Sequence, residues 1–172
     1  MFLSADMADG LNPMIFIHGL EGTSQGVKAT MLRGLYPDIL VPEFRGSLDE
    51  RMNLLEIMLA EHSGWRIVGS SFGGLMGAIY TGKHPSRVSK LILLAPALIW
   101  PEFINQPPQP VDVPTVIYHG TEDEVIPLEP VKIVAEKVFL NLEFRVVSDD
   151  HGLYNTVHGI NWHELLGQDL PG

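Results

Sequence analysis

Apolar residues recur along the whole chain in two alternating rhythms. Short apolar runs read as strands: residues 14–17, 39–41, 66–68, 88–94, 115–118 and 144–147. Between them, apolar residues return every three or four positions over residues 24–35, 48–61, 72–81 and 128–138. That spacing predicts helices with one buried face; within 48–61 it is carried by Leu54, Leu55, Met58 and Leu59. A last helical stretch lies around residues 160–166. The run 88–94 is nearly unbroken, as expected of a strand covered on both faces. The Pro-rich segment 96–114 interrupts the alternation and predicts a loop, because proline fixes φ and withholds an N–H. Strand and helix alternating about six times predict an α/β fold. The expected form is a doubly wound, mainly parallel sheet of about six strands with helices on both faces. Crossovers in such sheets are right-handed, and function collects at the carboxyl ends of the strands.

Composition narrows the picture. At 172 residues, with 45% hydrophobic and 19% charged, the chain is expected to form a single domain spanning residues 1–172 around one core. The absence of cysteine excludes disulfides, a thiol nucleophile and thiolate metal sites. A net charge of −10 opposes binding to nucleic acid or to an anionic membrane surface. The first ten residues lack the positive start and apolar core of a signal peptide, and the longest apolar run, near residues 91–100, is too short for a membrane span. The expected location is cytoplasmic. Nothing in the pattern fixes the oligomeric state.

Candidate chemistry centres on Gly69-Ser70-Ser71-Phe72-Gly73, a G-x-S-x-G. It follows a predicted strand and precedes a predicted helix, the setting of a nucleophile elbow. The turn strains the serine backbone, so the positions two residues away must lack bulk, and both are glycine. Gly74, Gly77 and Ala78 then give the helix a small-residue face. A serine nucleophile needs a base, and the base needs an orienting acid. In the chain order Ser, acid, His, Asp123 lies just past one strand and His151 just past the last strand. Both fall on loops at the sheet edge expected for Ser71. His18 and His119, each before a glycine at a strand end, read as turn residues; His62, His84, His158 and His163 lie on helices or their ends. Glu122, Glu124, Asp149 and Asp150 are rival acids, the last two reading as solvated loop charges. Backbone N–H groups of Phe72, after the nucleophile, and of Leu20, in the Gly-rich loop after the first strand, are candidate oxyanion donors.

With these residues in hand, the chain resembles the α/β-hydrolase superfamily along nearly its whole length. Phe16-Ile17-His18-Gly19 is similar to the family's oxyanion strand and loop. Phe44-Arg45-Gly46 resembles its Arg-Gly turn, and Val68 to Gly74 its elbow. Pro85, Arg87-Val88 and Leu91-Ile92-Leu93 resemble the entry to the next strand. His119-Gly120 with Asp123, Val125 and Pro127 resembles the acid loop, and His151-Gly152 the base loop. Only about a dozen residues precede the oxyanion strand, so the antiparallel strands that commonly open the family are expected to be missing or reduced, and only the Pro-rich segment occupies the lid position. The resemblance is to compact, lid-less members. It implies acyl transfer from a small-molecule ester to water through an acyl-enzyme at Ser71, with no cofactor and no metal; no H-E-x-x-H is present. An acyl thioesterase and a non-catalytic binding module are the alternatives. Trp100, Phe103, Ile126 and Leu153, all on loops at the expected catalytic edge, are the candidate substrate-binding residues, beside Leu20.

Overall fold

The computed structural model describes residues 12–167; the leader reading of the first ten residues lies outside them. Five strands form one parallel sheet in sequential order: β1 (Met14–Ile17), β2 (Trp65–Ser70), β3 (Val88–Leu94), β4 (Thr115–Gly120) and β5 (Leu142–Val147). Among the described residues, five α-helices connect the strands, α1 (Val27–Leu35), α2 (Leu48–Leu59), α3 (Phe72–Lys83), α4 (Pro101–Asn105) and α5 (Leu128–Val138), and two follow β5, α6 (Tyr154–Gly159) and α7 (Trp162–Leu166).

The count of strands is a correction. Residues 39–41 do not form a sixth strand but a single parallel bridge between Leu40 and Ile15. Leu40 N–H donates to the Met14 carbonyl and its own carbonyl accepts from Phe16 N–H, both at 2.9 Å. Pro42 follows at once; it has no N–H to extend the ladder, so pairing stops after one residue.

That bridge nevertheless explains the winding. The chain leaves β1 toward Leu40 on one side, then returns past β1 to β2 on the other. Right-handed crossovers in opposite directions put their helices on opposite faces. Alternation along the strands separates the faces cleanly. Ile15, Ile17, Ile67, Leu91, Leu93 and Ile117 pack with α2, α3 and α5. Phe16, Val68, Ile92, Leu94, Val116 and Tyr118 pack with α1, α6 and α7. The loops after β1 and β2 therefore leave adjacent strands toward opposite faces, and a crevice opens between them at the carboxyl end of the sheet.

α2 begins with a reciprocal cap. The Ser47 hydroxyl accepts from Glu50 N–H while the Glu50 carboxylate accepts from Ser47 N–H, which satisfies two N–H groups the first turn would leave free. A second correction concerns the Pro-rich segment, which holds the short helix α4. Pro101 occupies its first turn, the one place where a missing N–H and a fixed φ suit a helix. No helix among the described residues is long and apolar enough to cross a membrane.

Candidate active site

Ser71 stands between β2 and α3 at φ 55° and ψ −113°, a left-handed backbone that costs a non-glycine residue energy and is kept only where its surroundings enforce it. Three hydrogen bonds enforce it here. Ser71 N–H donates to the Leu94 carbonyl at 2.9 Å, and the Ser71 carbonyl accepts from Ala97 and Leu75 N–H at 3.0 and 3.1 Å. The flanking glycines are a steric requirement. A Cβ on Gly69 would stand 2.5 Å from the Gly73 carbonyl oxygen, and one on Gly73 would collide with the carbonyl oxygen of Ile17 at the end of β1. α3 thus starts in direct backbone contact with the neighbouring strand. Gly77 approaches the sheet side chains as expected, whereas Gly74 makes room for Pro96.

Asp123 and His151 reach the same point from β4 and β5. His151 Nε2 lies 3.0 Å from Ser71 Oγ, and His151 Nδ1 lies 2.8 Å from Asp123 Oδ2. The Asp123 side chain is fully buried. Its Oδ1 accepts from Val125 and Ile126 N–H at 2.9 and 2.8 Å, so the carboxylate is held by its own loop before it meets the imidazole. Gly120 lets the two loops close, because a Cβ there would collide with the Asp149 carbonyl oxygen.

Two histidines read from sequence as turn residues do more specific work. His18 is buried; its Nδ1 lies 2.7 Å from the Gly19 carbonyl and its Nε2 accepts from Phe44 N–H at 2.9 Å. The ring, carrying its proton on Nδ1, ties the loop after β1 to the turn before α2. His119, fully buried, places Nε2 2.9 Å from the Ile126 carbonyl and 3.3 Å from Asp123 Oδ2. It thereby braces the acid from the side opposite its own loop amides.

Asp149 is not a solvated loop charge, which corrects the sequence reading. It is buried, and its Oδ2 accepts from the Thr156 N–H and hydroxyl at 2.9 and 2.8 Å. Burial pushes its carboxyl upward, but the hydrogen bonds from Thr156, Asp150 and Asn155 outweigh that and hold it below the usual aspartate range. Its role is to pin α6 to the loop that carries His151. Asp150 is exposed and accepts from Gly152 N–H at 2.9 Å.

A cleft of about 750 Å³ opens over Ser71 and His151, within the size range of small-molecule sites. Its walls include Leu20, Phe72, Trp100, Ile126 and Tyr154, and Glu21 lines it while no Lys or Arg does. Trp100 packs edge-on against Phe72, with centroids 5.1 Å apart. Neither Leu20 nor Phe72 N–H donates to another described residue. Two expected wall residues are elsewhere. Phe103 is buried on the opposite side of α4 and lines a second cavity of about 630 Å³ with Leu48, Met52 and Ile79. Once residues 101–105 coil into a helix, Trp100 and Phe103 no longer share a direction. Leu153 is fully buried in the core beneath α1 and α6; at φ 52° it turns inward after the His151 loop. Sequence reasoning also passed over Arg51, whose guanidinium contacts both Leu20 and Phe72. The signal was present: Arg51 stands one and two helical repeats before Leu55 and Leu59, on the apolar face of α2. Among the described residues, no group of three or more His, Asp or Glu converges as a metal ligand set.

A sequence model of the α/β-hydrolase fold family matches residues 58–112, which span the elbow. No curated protein matches the chain. Solved structures match it over most of its length. Alpha/beta hydrolase domain-containing protein 10 from mouse superposes with a TM-score of 0.73 at 17% identity, covering 85% of each chain. A hydrolase of the α/β superfamily from Xanthomonas campestris gives 0.71 at 22% identity, covering 87% of this chain and 93% of the other. Est1E from Butyrivibrio proteoclasticus, with ferulic acid bound, gives 0.70 at 16% identity, covering 90% and 88%. By these likenesses, the chain has the α/β-hydrolase fold.

Proposed function

We propose that the chain is a serine hydrolase that cleaves a small, uncharged carboxylic ester through an acyl-enzyme. The observation that carries this reading is the pair of hydrogen bonds linking Asp123, His151 and Ser71 at the floor of an apolar cleft. His151 Nε2 takes the proton of Ser71 Oγ as that oxygen attacks the ester carbonyl carbon. The carbonyl oxygen becomes an oxyanion and accepts from the free N–H groups of Leu20 and Phe72, the latter at the positive end of α3. Collapse expels the alcohol oxygen, which takes its proton from His151. A water then gives a proton to His151 and attacks the acyl carbon, releasing the acid and restoring Ser71. Asp123 holds the Nδ1–H tautomer and stabilises the imidazolium at each step.

An ester is favoured over a coenzyme A thioester by the cleft wall. Phosphate groups call for Lys or Arg, whereas the described wall residues include the carboxylate of Glu21 and neither Lys nor Arg. The aromatic side chains Phe72, Trp100 and Tyr154 suit a flat or short acyl group, and the ferulic acid bound to Est1E makes a hydroxycinnamate ester a sensible probe. The test is kcat/KM across short aryl esters, alkyl hydroxycinnamates and the matching acyl-coenzyme A thioesters. The expected result is that the neutral esters lead by on the order of 10²-fold. Thioesters ahead of esters would make the chain an acyl thioesterase, and no turnover of either would leave a binding module.

A further inference from the structure

Arg51 carries a charge where the sequence pattern calls for an apolar residue. It lies on the face of α2 that holds Leu55 and Leu59, and it is only 4% exposed. Its Nε donates to the Gly46 carbonyl at 3.0 Å and its Nη2 to the Leu20 carbonyl at 3.2 Å. The guanidinium carbon stands 5.3 Å from the centre of the Phe72 ring. Nη1 is buried and donates to nothing among the described residues. A buried cation with both N–H groups of Nη1 unmet is a poor stabiliser, and an apolar side chain of similar volume is commonly as good or better.

What the guanidinium does supply is geometry. Its planar fork joins three separate pieces of chain: the turn before α2, the loop after β1 and the start of α3. Two of them present the candidate oxyanion donors. Leu20 has little else to fix it, since its side chain is 49% exposed and its carbonyl accepts from no other described group. Phe72 is fixed on one side by Arg51 and on the other by Trp100. Arg51 does not itself line the cleft.

We propose that Arg51 is a positioning residue: it fastens Leu20 and Phe72 so that their N–H groups converge on the oxyanion formed at Ser71. This rests on the serine-hydrolase reading above. Arg51 touches neither the substrate nor the reacting atoms, so its effect falls on turnover. Lysine cannot replace it, because an ammonium lacks the fork that bonds two carbonyls while stacking on a ring.

The experiment measures kcat, KM and the inhibition constant of a short alkyl boronic acid for the wild type, R51K, R51M and R51A. A boronic acid adds Ser71 Oγ to boron and presents a B–O⁻ where the oxyanion would be. R51M and R51K are expected to lose on the order of 10–100-fold in kcat with KM within about twofold. Boronate affinity is expected to fall in step with kcat/KM, as for a transition-state analogue. In R51A, added ethylguanidinium is expected to restore kcat and ethylammonium to leave it low. Wild-type kcat in R51M or R51K, a loss expressed only in KM, or boronate affinity that stays level while kcat falls would overturn the proposal. The R51A rescue decides the matter should R51M or R51K fold poorly: failure of ethylguanidinium to raise kcat counts against it. An inactive wild type would instead overturn the serine-hydrolase reading itself.

Discussion

A serine hydroxyl becomes a strong nucleophile only when a base shares its proton, and in the proposed reaction His151, 3.0 Å away, is that base for Ser71. Ser71→Ala is expected to lower kcat by on the order of 10⁴-fold or more, because the members of such a triad act as a unit. Ser70→Ala is expected to cost far less, and steady-state kinetics on one good ester separates the two. Asp123→Asn is expected to cost on the order of 10⁴-fold, since an amide in place of Oδ2 favours the wrong imidazole tautomer. Asp149→Asn acts differently. The folded protein holds that carboxyl below its ordinary range, so the charged form contributes stability that is fully present at neutral pH. That contribution fades as pH falls through the ordinary aspartate range near 4 and further below it. The variant is expected to melt lower than the wild type at pH 7 with kcat nearly unchanged, and the gap in Tm is expected to close on acidification below about pH 4. A gap that widens toward acid would contradict the sign. Ser71, Asp123 and His151 were legible together because chain order and strand ends are local features, and the structure holds them within hydrogen-bond reach. The burial of Asp149 was not legible, because it depends on Thr156 folding back from α6.

At the scale of elements, the elbow is a place where backbone meets backbone, and glycine is what permits it. Gly73→Ala would drive a methyl into the Ile17 carbonyl. It is expected to destabilise by about 2–3 kcal/mol and to abolish turnover by displacing Ser71. Gly34, in α1, has nothing within 4 Å of an added Cβ; Gly34→Ala is expected to stabilise by about 0.5–1 kcal/mol. Urea denaturation followed by circular dichroism gives both values. The alternating elements were readable from periodicity, and their two faces follow from period-2 strands. Three features were not readable. Residues 39–41 look like a strand, but Pro42 limits them to one bridge. α4 was hidden by its prolines, although Pro101 occupies a helix start. Phe103 and Leu153 lie on segments that lead to the cleft, yet a segment's position does not say which way a side chain points. Both turn into the core.

At the scale of the whole molecule, the topology puts the loops after β1 and β2 on opposite faces and opens the cleft between them, with Trp100 and Pro101 at the start of α4 forming one wall. Each CH₂ buried contributes about 0.8 kcal/mol, close to fourfold in kcat/KM. An open cleft collects that gain only for the carbons that lie against its walls. Efficiency is therefore expected to rise over short acyl chains, then level, with no jump when the substrate forms an emulsion. A steady rise out to long chains would mean that more of the molecule covers the substrate than the cleft described here. Whether Ser71 is the activated nucleophile is read by intact and peptide mass analysis after exposure to a fluorophosphonate. One adduct per chain is expected, mapped to Ser71, formed in the wild type and absent from Ser71→Ala. An adduct on Ser70 or elsewhere, or undiminished labelling of Ser71→Ala, would contradict it.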